Sequence, residues 1–491
     1  MFPVQPDSVH GVLHGYNPWW STGKVPKEHA PPVAREALGD LSALVSDDRA
    51  DARVLLTGPR RVGKTTLLHQ LVQELLERGT DPRSIFYVAL DHPLIQLTDF
   101  EDLVRFYLKN VLGSARSCTF LLDEVHASRD WTKGVDLVTR RDNIPSHIVA
   151  TGTFAEGMKP KGRSRFDPAQ WHNLRLPTLR FREFVSIVRP GSRIDAPAFL
   201  SAEPPRIDPE DLLENHHTNR TLIPLFNEFL LRGGFPEVAH MGRSPSLIQK
   251  HLREDVVERI LFRDMAHIYG AQNLPELERL FIHIALQTGN RFNLSDLAIS
   301  LGIARSTVSQ YIQHMESTLL IYLVRNFRGK STKGLRSRPQ IYVVDGSLRN
   351  AVLMRGEEYL QRPSELDTLA RTVLMTHLGE LARDRGWKLH HYRDRLGTRE
   401  VYVDAVLETD KEVIPLALAY RPDAMPDDIQ DLCSFMGKEK CRSGYLLTQG
   451  TTKKRIRETL FEDIYEVPLW TFLYGLPSGS TACRSGSPCA P

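Results

Sequence analysis

At 491 residues the chain is too long for one ordinary hydrophobic core, so three or four domains are expected. With 41% hydrophobic and 25% charged residues it reads as a soluble globular protein, and no apolar run approaches the length of a membrane span. A net charge of +3 selects no class of partner, and the five scattered cysteines (Cys118, Cys433, Cys441, Cys483, Cys489) argue against a disulfide framework or a zinc site. The stretch through Trp20 lacks the basic start and apolar core of a secretory signal, so a reducing cytoplasm is the expected compartment.

Residues 1–50 form an N-terminal extension that opens polar and ends in a helical pattern from Val33 to Val45. Within it, Asn17-Pro18-Trp19-Trp20 sets two tryptophans beside a proline, the pattern of an extended segment docking its indoles on the next domain. From Arg53 the pattern becomes α/β. Short apolar strands are predicted at 53–57, 85–90, 119–122 and 147–151, with helical segments between them, which implies a parallel sheet covered on both faces. This core is expected to span 51–200. Residues 201–262 read as a polar helical lid, 263–355 as short helices and then strands around a basic loop, and 356–476 as a second α/β domain. The Ser, Gly and Pro-rich stretch 477–491 reads as a disordered tail.

Gly58-Pro59-Arg60-Arg61-Val62-Gly63-Lys64-Thr65 fits G-x-x-x-x-G-K-(S/T), directly after a strand and opening a helix. The glycines let the backbone wrap closely, so that successive N–H groups face phosphate oxygens at a helix N-terminus. Lys64 is placed to reach the β- and γ-phosphates and the Thr65 hydroxyl to ligate Mg2+, with Thr66 completing the loop. The strand TFLL runs into Asp123-Glu124, where Asp123 is expected to bind Mg2+ through water and Glu124 to polarise the attacking water. The next strand ends in Thr151-Gly152-Thr153 and should lie between the other two. Either Thr151 or Thr153 could sense the γ-phosphate, helix capping being the alternative. Beyond it, Arg163 is the preferred candidate to reach across a subunit boundary to a neighbour's nucleotide, so a homo-oligomer is expected.

Together these residues resemble an AAA+ ATPase. More narrowly, the chain resembles a bacterial and archaeal group that joins such a module to a winged helix and a C-terminal nuclease-like domain of unknown function. The marks are NPWW at 17–20, GPRRVGKTTLL at 58–68, LLDEVH at 121–126, TGT at 151–153, GR at 162–163, LPTLRFREF at 176–184, RGGFPE at 232–237 and IYVVD at 341–345. The resemblance covers residues 17–450 and implies ATP, rather than GTP, with Mg2+. It implies an α/β fold: a P-loop AAA+ parallel sheet with a helical lid, a winged helix, then a restriction-endonuclease-like domain. Gly233 to Pro236 resembles the G-x-P signature of signalling NTPases, which would set Pro236 beside the adenine; a helix-start proline is the alternative.

Leu294 to Glu316 reads as two short helices, with Ala298, Gly302 and Val308 at helix-turn-helix spacing. The second helix would present Arg305, Ser306, Thr307, Gln310, Tyr311 and His314 to DNA. The loop 325–338 holds six Lys or Arg and no acid, which suits phosphate contacts. Residues 401–420 resemble the endonuclease core, whose aspartate would be Asp404. The acid and lysine of its E-x-K triplet are replaced by Ala417 and Ala419, and Ala370 stands near the upstream acid's place. Two-metal hydrolysis needs several carboxylates, so the fold is expected without its chemistry, although Glu400, Glu408 or Glu412 could enter the site. The leading expectation is an ATPase coupling hydrolysis to conformation or assembly on DNA. A nucleotide-exchange switch acting on protein partners and an ATP-gated nuclease are the alternatives.

Overall fold

A computed structural model describes residues 6–45, 51–113, 117–128, 130–139, 146–153, 170–192, 194, 198–200, 216–239, 242, 244–264, 273–329, 338–396, 399–421, 425–450, 454–456 and 463–477. The chain divides into two compact units, Met1–Pro177 and Thr178–Gly479. Residues of the 51–200 core expected from the α/β pattern fall in both units. The helix Phe181–Val188 packs with its own unit, through a hydrogen bond from the Phe181 N–H to His377 Nε2 (2.9 Å) and one from Arg182 Nε to the Tyr474 carbonyl (2.7 Å).

The first unit is built on five strands, β1 (Ala52–Thr57), β2 (Ile85–Ala89), β3 (Cys118–Asp123), β4 (Ser146–Gly152) and β5 (His172–Arg175). They pair in parallel in the order β2-β3-β4-β1-β5. Every residue of β3 and β4 is buried, as a parallel strand covered on both faces requires. The β1, β3 and β4 patterns match expectation, and β4 does separate the P-loop strand from the acid-bearing strand. β5 was not foreseen, because HNLR buries only Leu174 and carries no apolar run. The helix Lys64–Glu77 buries Leu67, Leu68, Leu71, Val72 and Leu75, an i, i+1, i+4, i+5, i+8 stripe. Each such side chain contributes about 1.5–3 kcal/mol, which anchors the loop before it.

The NPWW segment docks on this sheet, but as helix rather than extended chain: Pro6–Tyr16 is helical and Pro18 caps the short helix Trp19–Thr22. Proline pre-sets φ for a helix start and lacks the N–H that would be unsatisfied there, which favours helix over an extended run. Both indoles are buried.

The second unit carries β6 (Ile321–Asn326), β7 (Gln340–Val343), β8 (Lys388–Leu396), β9 (Arg399–Glu408), β10 (Val413–Ala419), β11 (Ser443–Thr448), β12 (Lys454–Ile456) and β13 (Asp463–Pro468). They form one mixed sheet in the order β12-β13-β11-β10-β9-β8-β6-β7. A helix, Pro363–Arg385, precedes β8, and the helix Pro426–Glu439 lies between β10 and β11 with Leu432, Phe435 and Met436 in the core. The segment read as a polar lid is not polar throughout, since Leu222, Phe226, Phe229, Leu230, Val256 and Ile260 are buried.

Ahead of β6, the helices Leu294–Leu301 and Arg305–Ser317 are joined through Gly302 at φ +70°. Ala298 and Val308 are buried as their spacing predicts. Arg305, Ser306 and Gln310 are exposed, but Tyr311 is buried, contrary to expectation. It follows Val308 by three residues and so falls on the core stripe with Ile312 and Met315. Residues 330–337 of the basic loop and the tail 478–491 lie outside the described residues. No helix among the described residues is long and apolar enough to cross a membrane.

Candidate nucleotide site

β1 delivers the chain into Gly58–Thr65, and the helix Lys64–Glu77 begins at once behind it. Gly58 needs to be glycine for a local reason: a Cβ there would collide with the Leu176 carbonyl oxygen, which follows β5. Gly63 takes φ +93°, a left-handed conformation that favours glycine, and Arg61 also has positive φ. Val62 is fully buried and pins the loop's centre. A buried arginine the sequence did not single out, Arg35, clamps the same point. Its Nη1 donates to the Val62 carbonyl at 2.9 Å and its Nη2 to the Pro177 carbonyl at 3.0 Å.

Lys64 is buried, and its ammonium donates to the carbonyls of Gly58 (3.0 Å) and Pro59 (2.9 Å). An ammonium has three protons, so it can address the loop and an anion together. The Thr65 hydroxyl donates to Asp123 Oδ2 at 2.6 Å, which directs its proton away and leaves its oxygen lone pairs for a cation. Asp123 accepts two more hydroxyl protons, from Tyr87 onto Oδ2 at 3.1 Å and from Thr151 onto Oδ1. Burial, and then the charge of Glu124, push the Asp123 carboxyl above its ordinary pKa, while the Thr151 and Thr65 hydroxyls and Lys64 oppose that rise.

Glu124 stands at φ +52°, a left-handed turn that ends β3 and costs a non-glycine residue about 1–2 kcal/mol. Its N–H donates to Thr151 Oγ1 at 3.0 Å, and its Oε2 lies 3.3 Å from His126 Nδ1. The two threonines left open by the sequence thus differ. Thr151 is bonded to both acids, whereas the Thr153 hydroxyl is buried and has no hydrogen-bond partner among the described residues. Such an orphan is costly and rare unless something else binds there. A buried hydroxyl without a partner among the described residues, a Thr65 oxygen whose proton is turned away and a buried ammonium at the loop together fit a phosphate chain with Mg2+.

Of the remaining expected residues, Arg60, Arg61 and Thr66 are half-buried in or beside the loop. Arg163 lies outside the described residues. Pro236 belongs to the second unit and opens the helix Pro236–Ala239, the helix-start alternative. The preceding glycines serve a different purpose. The Gly234 N–H donates to the buried Asp345 Oδ2 at 2.7 Å, and a Cβ at Gly233 would collide with the same carboxylate. Asp345 also accepts from the Ser347 N–H at 2.8 Å, so one acid joins the RGGF and VVD segments.

Residues 51–185 match the family described as an AAA domain, and the parallel five-strand sheet with its glycine loop has a P-loop AAA-like fold. The class implies a nucleotide and usually Mg2+. Residues 223–359 match a second family, described as a domain of unknown function, DUF8612. An uncharacterized protein of Haemophilus influenzae is 22% identical over 329 residues, covering 66% of this chain and 74% of that protein. The uncharacterized protein MJ1637 of Methanocaldococcus jannaschii is 22% identical over 314 residues, covering 61% of this chain; the matched part is 62% of that relative's length. Among solved structures, the Walker-type ATPase PABY2304 of Pyrococcus abyssi is 14% identical with a TM-score of 0.35, covering 67% of this chain and 99% of that one. The Aeropyrum pernix ORC1 protein, solved in complex with DNA, is 15% identical with a TM-score of 0.28, covering 68% and 96%.

Proposed function

We propose that this protein binds and hydrolyses ATP at the P-loop and couples the cycle to a DNA-contacting helix-turn-helix in its second unit. The observation that carries the catalytic half is the carboxylate of Asp123, buried and held by hydroxyl donors that include the P-loop threonine. Thr65 and Asp123 would hold Mg2+, which when bound neutralises charge on the terminal phosphates. Lys64 and the backbone N–H groups of Gly58 to Thr65 bind the phosphates. Glu124 orients the attacking water and takes up its proton as oxygen bonds to the γ-phosphorus and the bond to the bridging oxygen breaks. Thr151 fixes both acids, and Thr153 addresses the γ-phosphate. Arg163 is the proposed contribution of a neighbouring copy in a homo-oligomer.

Support for the DNA half is the exposed Arg305, Ser306 and Gln310 on the helix Arg305–Ser317, with exposed Arg325 and Arg328 following. We further propose that the nuclease-like part of the second unit is inert. The Arg371 guanidinium is ion-paired with Asp404, which also accepts from the Leu418 N–H at 2.7 Å. A cationic side chain therefore stands against Asp404, and the same guanidinium pairs with Asp367 at 3.1 Å. Of the acids that could have replaced the lost ones, Glu408 is engaged with His390 (3.2 Å) and Glu400 with Arg393.

Nucleotide binding by wild type and by Lys64→Ala tests the first half; a protein that neither retains nor turns over any nucleoside triphosphate would end the proposal. DNA binding should weaken steeply with salt, and its absence at low salt removes the second half. Plasmid cleavage with Mg2+ or Mn2+ that is abolished by Asp404→Ala would overturn the inert-nuclease reading.

A further inference from the structure

β2 is an edge strand, so the backbone groups on its outer side have no neighbouring strand to pair with. Side chains of the N-terminal segment supply the partners. Asn17 Oδ1 accepts from the Tyr87 N–H at 2.7 Å and Asn17 Nδ2 donates to the Tyr87 carbonyl at 2.8 Å, so one primary amide pairs with this residue as a strand would. The same Nδ2 donates to the Leu13 carbonyl at 2.8 Å, which ties the helix Pro6–Tyr16 to the clamp. The Nε1 atoms of Trp19 and Trp20 both donate to the Ile85 carbonyl, at 3.1 and 2.8 Å. Asn17 is 1% exposed, so water does not compete for these bonds.

What this clamp holds is a residue of the metal site. Tyr87 lies in register with Leu121, two residues before Asp123 on the same face of β3, and its hydroxyl donates to Asp123 Oδ2. The ring packs against His69 (centroids 4.7 Å apart) and Tyr16 (5.7 Å), and His69 Nδ1 lies 2.9 Å from the Thr65 carbonyl. Burial and then the charge of Asp123 raise the Tyr87 pKa well above 10, so the phenol remains a proton donor.

We propose that Asn17 and Tyr87 are positioning residues for the Mg2+-binding carboxylate, so that the N-terminal segment sets the metal affinity of the nucleotide site. With Oδ2 held by Tyr87 and Thr65 and Oδ1 by Thr151, the carboxylate cannot rotate, and the lone pairs of Thr65 would stay available to a cation. Asn17 acts through Tyr87, by fixing the strand residue from its outer edge. This inference rests on the ATPase reading above.

The test measures a fluorescent ATP analogue binding to the full chain, first in EDTA and then with rising Mg2+. Tyr87→Phe should weaken the apparent Mg2+ affinity about tenfold, the worth of one hydrogen bond to a charged group, and leave metal-free nucleotide affinity unchanged. Asn17→Ala should shift it in the same direction, and the double variant should be no worse than Tyr87→Phe. Should Asn17→Ala fail to fold, Tyr87→Phe alone decides. An unchanged Mg2+ dependence in Tyr87→Phe, or an equal loss in EDTA, overturns the inference while leaving the ATPase reading intact. Wild type that binds no nucleotide overturns both.

Discussion

Asp123 and Asp404 are both aspartates buried on strands of a sheet, 3% and 5% exposed, yet their surroundings give them opposite prospects. Asp123 is met by the neutral hydroxyls of Thr65, Tyr87 and Thr151, which orient its oxygens without neutralising its charge. Asp404 is met by the Arg371 guanidinium, which offsets that charge directly. An acid at a strand is therefore no evidence of a site by itself. The type of donor facing it decides whether a cation can still be bound.

The comparison breaks first at catalysis. Glu124→Gln should bind nucleotide normally and release phosphate about a thousandfold more slowly, whereas Lys64→Ala should lose binding. Phosphate release and nucleotide binding read the two separately, and equal rates in Glu124→Gln and wild type would remove that acid from its role. The next largest effect belongs to the second unit. Arg371→Met leaves Asp404 charged and unpaired in the interior and should cost about 3–5 kcal/mol in urea unfolding, most of it restored by adding Asp404→Asn. A double variant as unstable as the single one would mean that Arg371 supports the fold through something other than this pair.

A third effect depends on pH. His377 is buried between two bonds, Nδ1 against the Val373 carbonyl (2.8 Å) and Nε2 accepting from the Phe181 N–H (2.9 Å), which defines a neutral ring. Burial, and then the charge of Arg180, lower its pKa from 6.5 to about 4. Between those values the unfolded chain binds a proton that the folded chain does not. The stability held in full above pH 6.5 therefore falls by on the order of 3 kcal/mol as pH drops towards 4. Gln can accept the Phe181 bond without titrating, so His377→Gln should flatten the slope of melting temperature against pH over that range. An unchanged slope would place the sensitivity in other groups.

What the sequence made legible follows from where signals are local. The P-loop and the acid pair are contiguous, so their spacing alone locates them, and the apolar runs of β1, β3 and β4 locate the sheet. The roles of Arg35 and Asn17 were opaque because their partners are backbone groups at Val62, Pro177 and Tyr87, distant in sequence, and a backbone partner leaves no mark on the side-chain pattern. Tyr87 did leave a trace. A tyrosine inside a fully apolar strand needs a partner for its hydroxyl, and the nearest acid on that face is Asp123. Tyr311 was misread for the opposite reason, since its polar tip was weighed above the three-residue spacing from Val308 that puts it in the core. The two glycines before Pro236 carried a motif whose local cause, the buried Asp345, lies in another segment.

The smallest expected effect is the most discriminating, because it sets two threonines of one strand end against each other. Thr151 spends its hydroxyl on both acids, so Thr151→Val should disturb stability and turnover together. Thr153 has a buried hydroxyl without a partner among the described residues, so replacing it by the isosteric Val removes an unsatisfied group. Thr153→Val should leave the melting temperature unchanged or raise stability by up to about 1 kcal/mol, and at the same time slow ATP turnover about tenfold. Gain in one quantity with loss in the other is what a group kept for the γ-phosphate predicts and what a core residue does not. Turnover equal to wild type in Thr153→Val would assign that hydroxyl to packing alone and leave Thr151 as the working end of the strand.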